Sequence, residues 1–502
     1  MTGPMATASR SHPLKTSGRR GGGLLPARSG VSLDALWTAI AIALPVAATW
    51  LSRTQAVDLA YQVRAGGFML DTHHLLSTDL FTFTVAGHTW LNQQWAAEVF
   101  LAGVWRAGGW DGIAVTWGLI VGAVSLFVFL ACRAAGASTV SSALLTLAGY
   151  LVGVQILTMR PQLIGILFFA VIQWVVVTRR GSPQRLWLVP VLTFVWVNVH
   201  GSFVLAFVLL GFAWLEDYAA GRPTARRVAI VGAVSAIATL VNPFGIRAWS
   251  YVADVVGNPT VSGRVAEWAP PSARTPIGFV FLFSVLAVFA ILATSKPRAS
   301  WRTVFALAFF ALLGMTAIRG VVWWALAFPV LVAPSIQGAL ERPATRSWLN
   351  AAFLAALCVL LAVSLPVGRG VDPASGGPAV LTFAPEDLVA AAAKSVPAGT
   401  HIFTSEVYGS WAEFSAPQLP VFVDPRIELF PDHVWNDYFK VSEGRKGWDK
   451  VLTRWDVDVV ILHPAWAGGL MTVISHDPAW RLLARTSEGA AYVRVRPFGP
   501  PS

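Results

Sequence analysis

Charge is what this chain has least of. Asp, Glu, Lys and Arg supply 13% of its 502 residues, where a soluble domain carries about a quarter. That deficit excludes an ordinary soluble globular protein. Cysteine is as scarce: Cys132 and Cys358 stand alone, in or at the edge of apolar stretches and without ligand-like neighbours. A disulfide framework and a cysteine zinc site are both excluded on that ground. Acids are outnumbered, 26 against 37 Lys and Arg, for a net charge of +11. The excess does not mark a nucleic-acid partner. The basic residues fall in short groups between apolar runs, which is how a membrane protein fixes its orientation. No internal repeat of fixed period is visible.

What the chain has in place of charge is hydrophobicity, 55% of its residues and a mean hydropathy of +0.60. Apolar runs of ~17–22 residues recur, the length a helix needs to cross a bilayer. The expected fold is a polytopic α-helical membrane protein followed by a small α/β domain. About eleven spans are expected, at 34–51, 110–132, 138–157, 162–178, 185–200, 202–217, 226–241, 276–294, 302–317, 321–338 and 347–366. Residues 1–33 read as a disordered, basic cytoplasmic tail. Arg19-Arg20 invites comparison with an export signal, but no small-residue cleavage site follows the first apolar run, so that run reads as a retained helix.

With the tail inside, the cytoplasmic loops hold Arg133; Arg179, Arg180 and Arg185; Arg222, Arg226 and Arg227; Lys296, Arg298 and Arg302; and Arg342 and Arg346. Each short inside connection is thus positive, as the positive-inside rule requires. The other side receives the first outer loop, 52–109, the turns near Arg160, His200 and Arg319, the 242–275 loop and the C-terminal region. The parity requires that Gln93–Trp105, which contains Glu98, lie at the interface and not cross. Residues 367–382 are a Pro- and Gly-rich linker. Residues 383–502 read as an extracytoplasmic α/β domain with mainly parallel strands. Its expected helices are Glu386–Ser395, Asp432–Val441 and Trp448–Trp455. Its expected strands include Thr400–Thr404, Pro420–Asp424 and Asp458–His463.

That topology collects the unusual polar motifs on the outer face. They are Asp58, the Met159–Gln162 turn (MRPQ), Asn198–Gly201 (NVHG), Asn242–Gly245 (NPFG), Glu267-Trp268 and Arg319-Gly320. Asp58, just past the first span, can serve as a general base or ligate a cation; it can equally cap a helix. Glu98 is an acid in a Trp-rich interfacial segment, where an unpaired charge is costly. Arg64, Arg160, Arg247, Arg264 and Arg319 are interfacial guanidinium groups suited to a phosphate, although snorkelling to lipid headgroups places most arginines of this kind. His200 reads as an interhelical donor or a substrate contact. Asp71, Asp79 and the His73-His74 pair read as structure, since adjacent histidines do not share a face. In the outer domain, Tyr408 of YGSW and the Asp424/Arg426 pair stand out. Asp424 and Arg426 follow a predicted strand end, where ligands gather in open α/β sheets, though an Asp–Arg pair can also simply hold a turn.

Three stretches together carry a resemblance. Asp58–Gly66 reads DLAYQVRAG, Asp79–Thr84 reads DLFTFT, and Trp90–Glu98 reads WLNQQWAAE. This arrangement after a first span resembles the GT-C superfold of polytopic membrane glycosyltransferases, in its protein mannosyltransferase and aminoarabinose transferase-like branch. The resemblance covers 34–366. It implies transfer of a sugar from a polyprenyl-phosphate donor to an extracytoplasmic glycan, lipid or protein, at a multi-pass protein of the cell membrane. Asp58 matches the catalytic acid and would deprotonate the acceptor hydroxyl; Glu98 and the outer arginines follow. No cofactor is certain; a divalent cation, Mg or Mn, is a candidate. The chain departs from the branch in having Leu59 where many members carry a second acid, and that weakens the cation. Two rivals remain at this level. One is a non-catalytic protein that transports or presents a lipid-linked glycan, disfavoured by the few acids and amides at span centres. The other is a surface-polysaccharide ligase or polymerase, which would rely on His200 and Arg319.

Overall fold

The computed structural model describes residues 30–257, 266–296, 298–340 and 345–495. The tail expected to be disordered lies outside the described residues up to position 29, as does Arg264. The first part of the chain is a helix bundle: α1 (Leu33–Leu51), α2 (Ala56–Thr72), α3 (Trp95–Ala134), α4 (Thr139–Gly153), α5 (Pro161–Thr178), α6 (Leu188–Val197) and α7 (Val204–Ala219). It continues with α8 (Thr224–Ala238), α9 (Arg247–Gly257), α10 (Pro276–Thr294), α11 (Trp301–Thr316), α12 (Val321–Val332) and α13 (Trp348–Ser364).

Every apolar segment picked from the sequence is helical. Six helical stretches among the described residues are long and apolar enough to cross a membrane: Leu33–Leu51, Trp95–Ala134, Pro161–Thr178, Gly201–Ala219, Pro276–Thr294 and Ile318–Ile336. Their starts follow local chemistry. Ser32, Ser138, Ser300 and Thr275 accept hydrogen bonds from N–H groups of the first turns of α1, α4, α11 and α10. Pro161 and Pro276 open α5 and α10, where a missing N–H removes nothing. The bundle turns apolar side chains outwards as well as inwards. Phe283, Leu286 and Val363 are 64%, 71% and 72% exposed, a surface that water would penalise and lipid would not.

One detail corrects the expected first outer loop: residues 56–72 are helical. Within α3 the helix is interrupted at Gly109 (φ 60°, ψ −153°), a conformation essentially open to glycine alone, so the stretch holding Gln93–Trp105 is set off from the segment 110–132 by a kink. Helix α2 lies hard against α3. A Cβ at Gly66 would stand 1.9 Å from the Glu98 carbonyl oxygen, so only glycine permits this approach.

The rest of the chain adds α14 (Glu386–Ser395), α15 (Glu406–Ser415), α16 (Asp432–Ser442), α17 (Trp448–Arg454) and α18 (Pro464–Ile474). They surround a sheet of β1 (His401–Thr404), β2 (Val457–Leu462), β3 (Trp480–Thr486) and β4 (Gly489–Arg494), in the order β1-β2-β4-β3. Only β1 and β2 are parallel; β4 runs antiparallel to both β2 and β3. The mainly parallel sheet expected from alternation is therefore wrong. Thr486 and Gly489 are paired across a tight hairpin, and so short a link permits only antiparallel strands. Pro420–Asp424 is not a strand; Val421 makes only isolated bridges, to Thr82 and Ile402.

The two parts are bolted together along α2 and α15. Tyr61 N–H donates to Ser410 Oγ (2.7 Å), which donates to the Ala56 carbonyl (3.1 Å). Arg64 Nη1 donates to the Glu413 carbonyl (2.8 Å). The loop after α2 adds a stacked Phe83–His401 pair, 3.9 Å between centroids. At its heart is a fully buried ion cluster. Arg426 Nη2 reaches Asp79 Oδ1 at 2.5 Å, and the same guanidinium binds Asp424. The rings of Trp90, Phe81 and Tyr61 lie 4.6, 5.1 and 5.7 Å away.

Candidate active site

A cavity of about 470 Å³ opens where the bundle meets the C-terminal part, within the size range of small-molecule sites. Its walls come from α2, the starts of α5 and α7, α9, the Ala266–Trp268 turn, the α11–α12 junction and residues 406 and 425–428.

Arg160 is fixed by its sequence. It precedes Pro161, which bars the helical conformation from the residue before it. Arg160 is accordingly extended (φ −163°, ψ 168°) and its side chain enters the cavity. Arg160 Nη1 donates to Asp58 Oδ2 (3.2 Å) and to Glu267 Oε2 (3.0 Å), and Nη2 donates to Glu267 Oε1 (2.7 Å). Arg319, in the short turn Ile318–Gly320, donates from Nε to the same Glu267 Oε2 (2.7 Å). Two arginines thus share one carboxylate, with Asp58 beside them. Burial opposes the charge on Glu267, but Arg160 and Arg319 hold its carboxyl down at about 2. Burial lifts Asp58 above the usual carboxylate range, although Arg160 counters it.

His200 also opens a helical turn. Its Nδ1 accepts the Ser202 N–H (3.1 Å), which places the ring proton on Nε2. Burial, with Arg319 and Arg160 adding to it, pushes its pKa down to about 3. The imidazole is therefore a neutral donor at ordinary pH.

Of the arginines singled out by sequence, the cavity collects Arg160 and Arg319. Arg64 is turned to the Glu413 and Pro417 carbonyls and lies 4.5 Å from the Phe81 ring. Arg247 is exposed at the start of α9 and does not line the cavity. Glu98 is wholly buried behind the wall, where Asn92 donates to its Oε2 (2.6 Å). Asp424 is buried in the Arg426 cluster, and Tyr408 donates to the Glu488 carbonyl (2.6 Å). Arg426 does line the cavity, and its Nη1 is buried without a partner. Gln62 and Gln93 likewise line it with buried, unpartnered Oε1 atoms. Buried polar atoms left unpaired are costly, and a bound polar ligand would relieve them. Asp71 pairs with Arg106 (2.6 Å) at the surface, and Asn242 caps its own turn through Phe244 N–H (2.7 Å); neither lines the cavity.

Sequence reasoning passed over Glu406, Glu428 and Tyr251, all in the cavity wall. Tyr251 Oη donates to Glu428 Oε1 (3.1 Å). Glu406 had a usable signal: it follows β1, the parallel strand, just past its carboxyl end. Tyr251 and Glu428 had none, because only the tertiary fold brings them there. Among the described residues no three His, Cys, Asp or Glu side chains gather closely enough to hold a metal ion, and both acids at Arg160 are engaged by its guanidinium group.

No protein-family model matches the chain, and no curated protein does. Solved structures do. Arabinofuranosyltransferase AftD from mycobacteria superposes with a TM-score of 0.55 at 17% identity over 92% of this chain, which spans 42% of AftD. ArnT from Cupriavidus metallidurans, in its apo state, superposes with a TM-score of 0.51 at 12% identity over 91% of this chain and 97% of ArnT. ArnT bound to undecaprenyl phosphate gives 0.49 at 13% identity over 92% and 98%. At these identities the likeness is one of fold: the chain folds like AftD and apo ArnT over about nine-tenths of its length.

Proposed function

We propose that the chain is an integral membrane glycosyltransferase that moves a sugar from a polyprenyl-phosphate-type donor to an extracytoplasmic glycan, lipid or protein. The observation that carries this is the Asp58–Arg160–Glu267–Arg319 network inside a large cavity at one end of an apolar bundle. Two guanidinium groups on one carboxylate form a ready anion site. A donor phosphate would take the place of Glu267 between them and leave as a stabilised anion. Asp58, its charge held by Arg160, would draw the proton from the acceptor hydroxyl. His200 would offer an N–H that stays neutral.

The topology follows the same line. Helix α5 has Arg160 at one end and, ~27 Å away by its rise, Arg179 at the other. There Arg179, Arg180 and Arg222 converge on Asp217, at a positive end that belongs in the cytoplasm. The cavity and the α/β part then lie outside the cell membrane, with eleven spans and the N-terminus inside. The linker 367–382 and the region 383–502 form the outer unit.

The test is transfer in membrane vesicles from undecaprenyl phosphate carrying candidate sugars, with wild type and Asp58→Asn inserted to equal level. Loss of transfer in Asp58→Asn is expected. Full retention would sink the mechanism, and loss confined to His200→Ala would favour a polysaccharide ligase.

A further inference from the structure

The cavity wall contributed by the C-terminal part holds an acid that the mechanism above leaves unused. Glu406 is the first residue of α15 and lines the same cavity as Asp58. Its backbone N–H donates to Tyr438 Oη (2.7 Å), which anchors the residue from α16. Its carboxylate has no ion pair among the described residues, whereas Asp58 and Glu267 are both held by Arg160.

This difference decides where a proton can rest. A proton left on Asp58 would dissolve its pairing with Arg160 at the moment when that arginine must receive a leaving phosphate. A carboxylate with no cationic partner takes the proton without that loss. We propose that Glu406 is a second proton-transfer group of this site, taking over the proton that Asp58 draws from the acceptor hydroxyl. The inference rests on the transferase reading above. The acceptor O–H bond breaks as its oxygen bonds the anomeric carbon. The bond from that carbon to the phosphate oxygen breaks, and its electron pair leaves on the phosphate between Arg160 and Arg319. The proton passes through Asp58 and ends on Glu406.

The electrostatics suit the role. The groups that act on Glu406 are Asp58 on α2, Asp424 on the loop after α15 and Tyr438 on α16, and Tyr61, Arg160, Glu267, Arg319, Arg426 and Glu428 line the same cavity. Burial, then the charges of Asp58 and Asp424, lift its carboxyl to about 7. This exceeds the opposing preference of a helix start for an ionised acid. A proton-transfer group works best with a pKa near the working pH.

The experiment measures kcat and KM for transfer from undecaprenyl phosphate-linked sugar between pH 5.5 and 9. Wild type should show one ionisation near pH 7, with the unprotonated form active. Glu406→Gln should lower kcat by about 100-fold, the lower bound for general acid–base groups, leave the donor KM within about twofold, and abolish that ionisation. Glu406→Asp should restore part of the rate and move the ionisation. Binding of undecaprenyl phosphate and the melting temperature report whether each variant is folded. Wild-type kcat and an unchanged pH profile in Glu406→Gln, beside an inactive Asp58→Asn, would overturn this inference and leave the transferase reading standing. Full activity in Asp58→Asn would defeat that reading itself. If Glu406→Gln does not fold, an unmoved ionisation in Glu406→Asp overturns the inference.

Discussion

Replacing Arg426 by Gln should be among the most damaging single changes in the protein. The Arg426 side chain is 1% exposed, and both of its partners, Asp79 and Asp424, are at 0%. Asp79 also accepts the N–H groups of Phe81 and Thr82 and the Thr82 hydroxyl, so it cannot turn away to find water. Glutamine would leave two buried carboxylates with no cation between them, beside three aromatic rings that had faced one. Breaking a buried pair from one side costs about 3–5 kcal/mol. Arg426→Lys keeps the charge but cannot bridge both acids with a fork, so it should fall between Gln and wild type. Adding Asp79→Asn to Arg426→Gln removes one stranded charge and should recover part of the loss, with a coupling of roughly 0.5–3 kcal/mol. The assay is unfolding of the detergent-solubilised protein, followed by aromatic signals. An Arg426→Gln variant within about 0.5 kcal/mol of wild type, the range of ordinary surface changes, would refute the reasoning.

Other outcomes can be checked alongside. Gly66→Ala should force α2 away from α3, since the new Cβ would meet the Glu98 carbonyl at 1.9 Å; expression and melting temperature both fall, and transfer falls with them because Asp58 rides on α2. Glu267→Gln should weaken its hold on the two arginines, and titration with undecaprenyl phosphate should show tighter binding if the carboxylate occupies the phosphate position. Weaker binding would mean that Glu267 instead positions Arg160 and Arg319. Because Glu406 has its pKa raised from 4.5 to about 7, the folded form holds its proton longer than the unfolded form. Its contribution therefore favours the fold below about pH 4.5 and is lost as pH rises to about 7. Glu406→Gln should gain stability relative to wild type across that interval and hold the gain above it; melting curves at pH 5 and 8 read the difference.

The helices were legible because an apolar run of span length has few alternatives. Asp58, Arg160, His200 and Arg319 were also legible, since each sits where a span ends, and the fold does bring these four to one cavity. Arg64 and Arg247 were grouped with them but do not reach the cavity: Arg64, midway along α2, turns to the Glu413 carbonyl, and Arg247 is exposed at the start of α9. The sheet direction was misread because alternating helix and strand suggests crossovers until the hairpin at Thr486–Gly489 is seen. The far wall of the cavity was illegible for a different reason. Glu406 and Glu428 lie more than three hundred residues beyond Asp58 in sequence; the place of Glu406 past the end of β1 marks it as a ligand contact but not as a neighbour of Asp58, a meeting made by the α2–α15 contact.

That contact has a consequence for how the protein is made. Asp58 and the arginines leave the ribosome early, while Ser410, Glu413 and Arg426, which pin α2 and complete the pocket, leave late. Until residues 406–428 have been delivered and folded, α2 lacks the Ser410 hydroxyl that binds its first turn and Asp79 lacks its cation. A chain made only as far as Arg319 therefore carries Asp58, Arg160, Glu267 and Arg319 without the cavity wall that Glu406 and residues 425–428 supply.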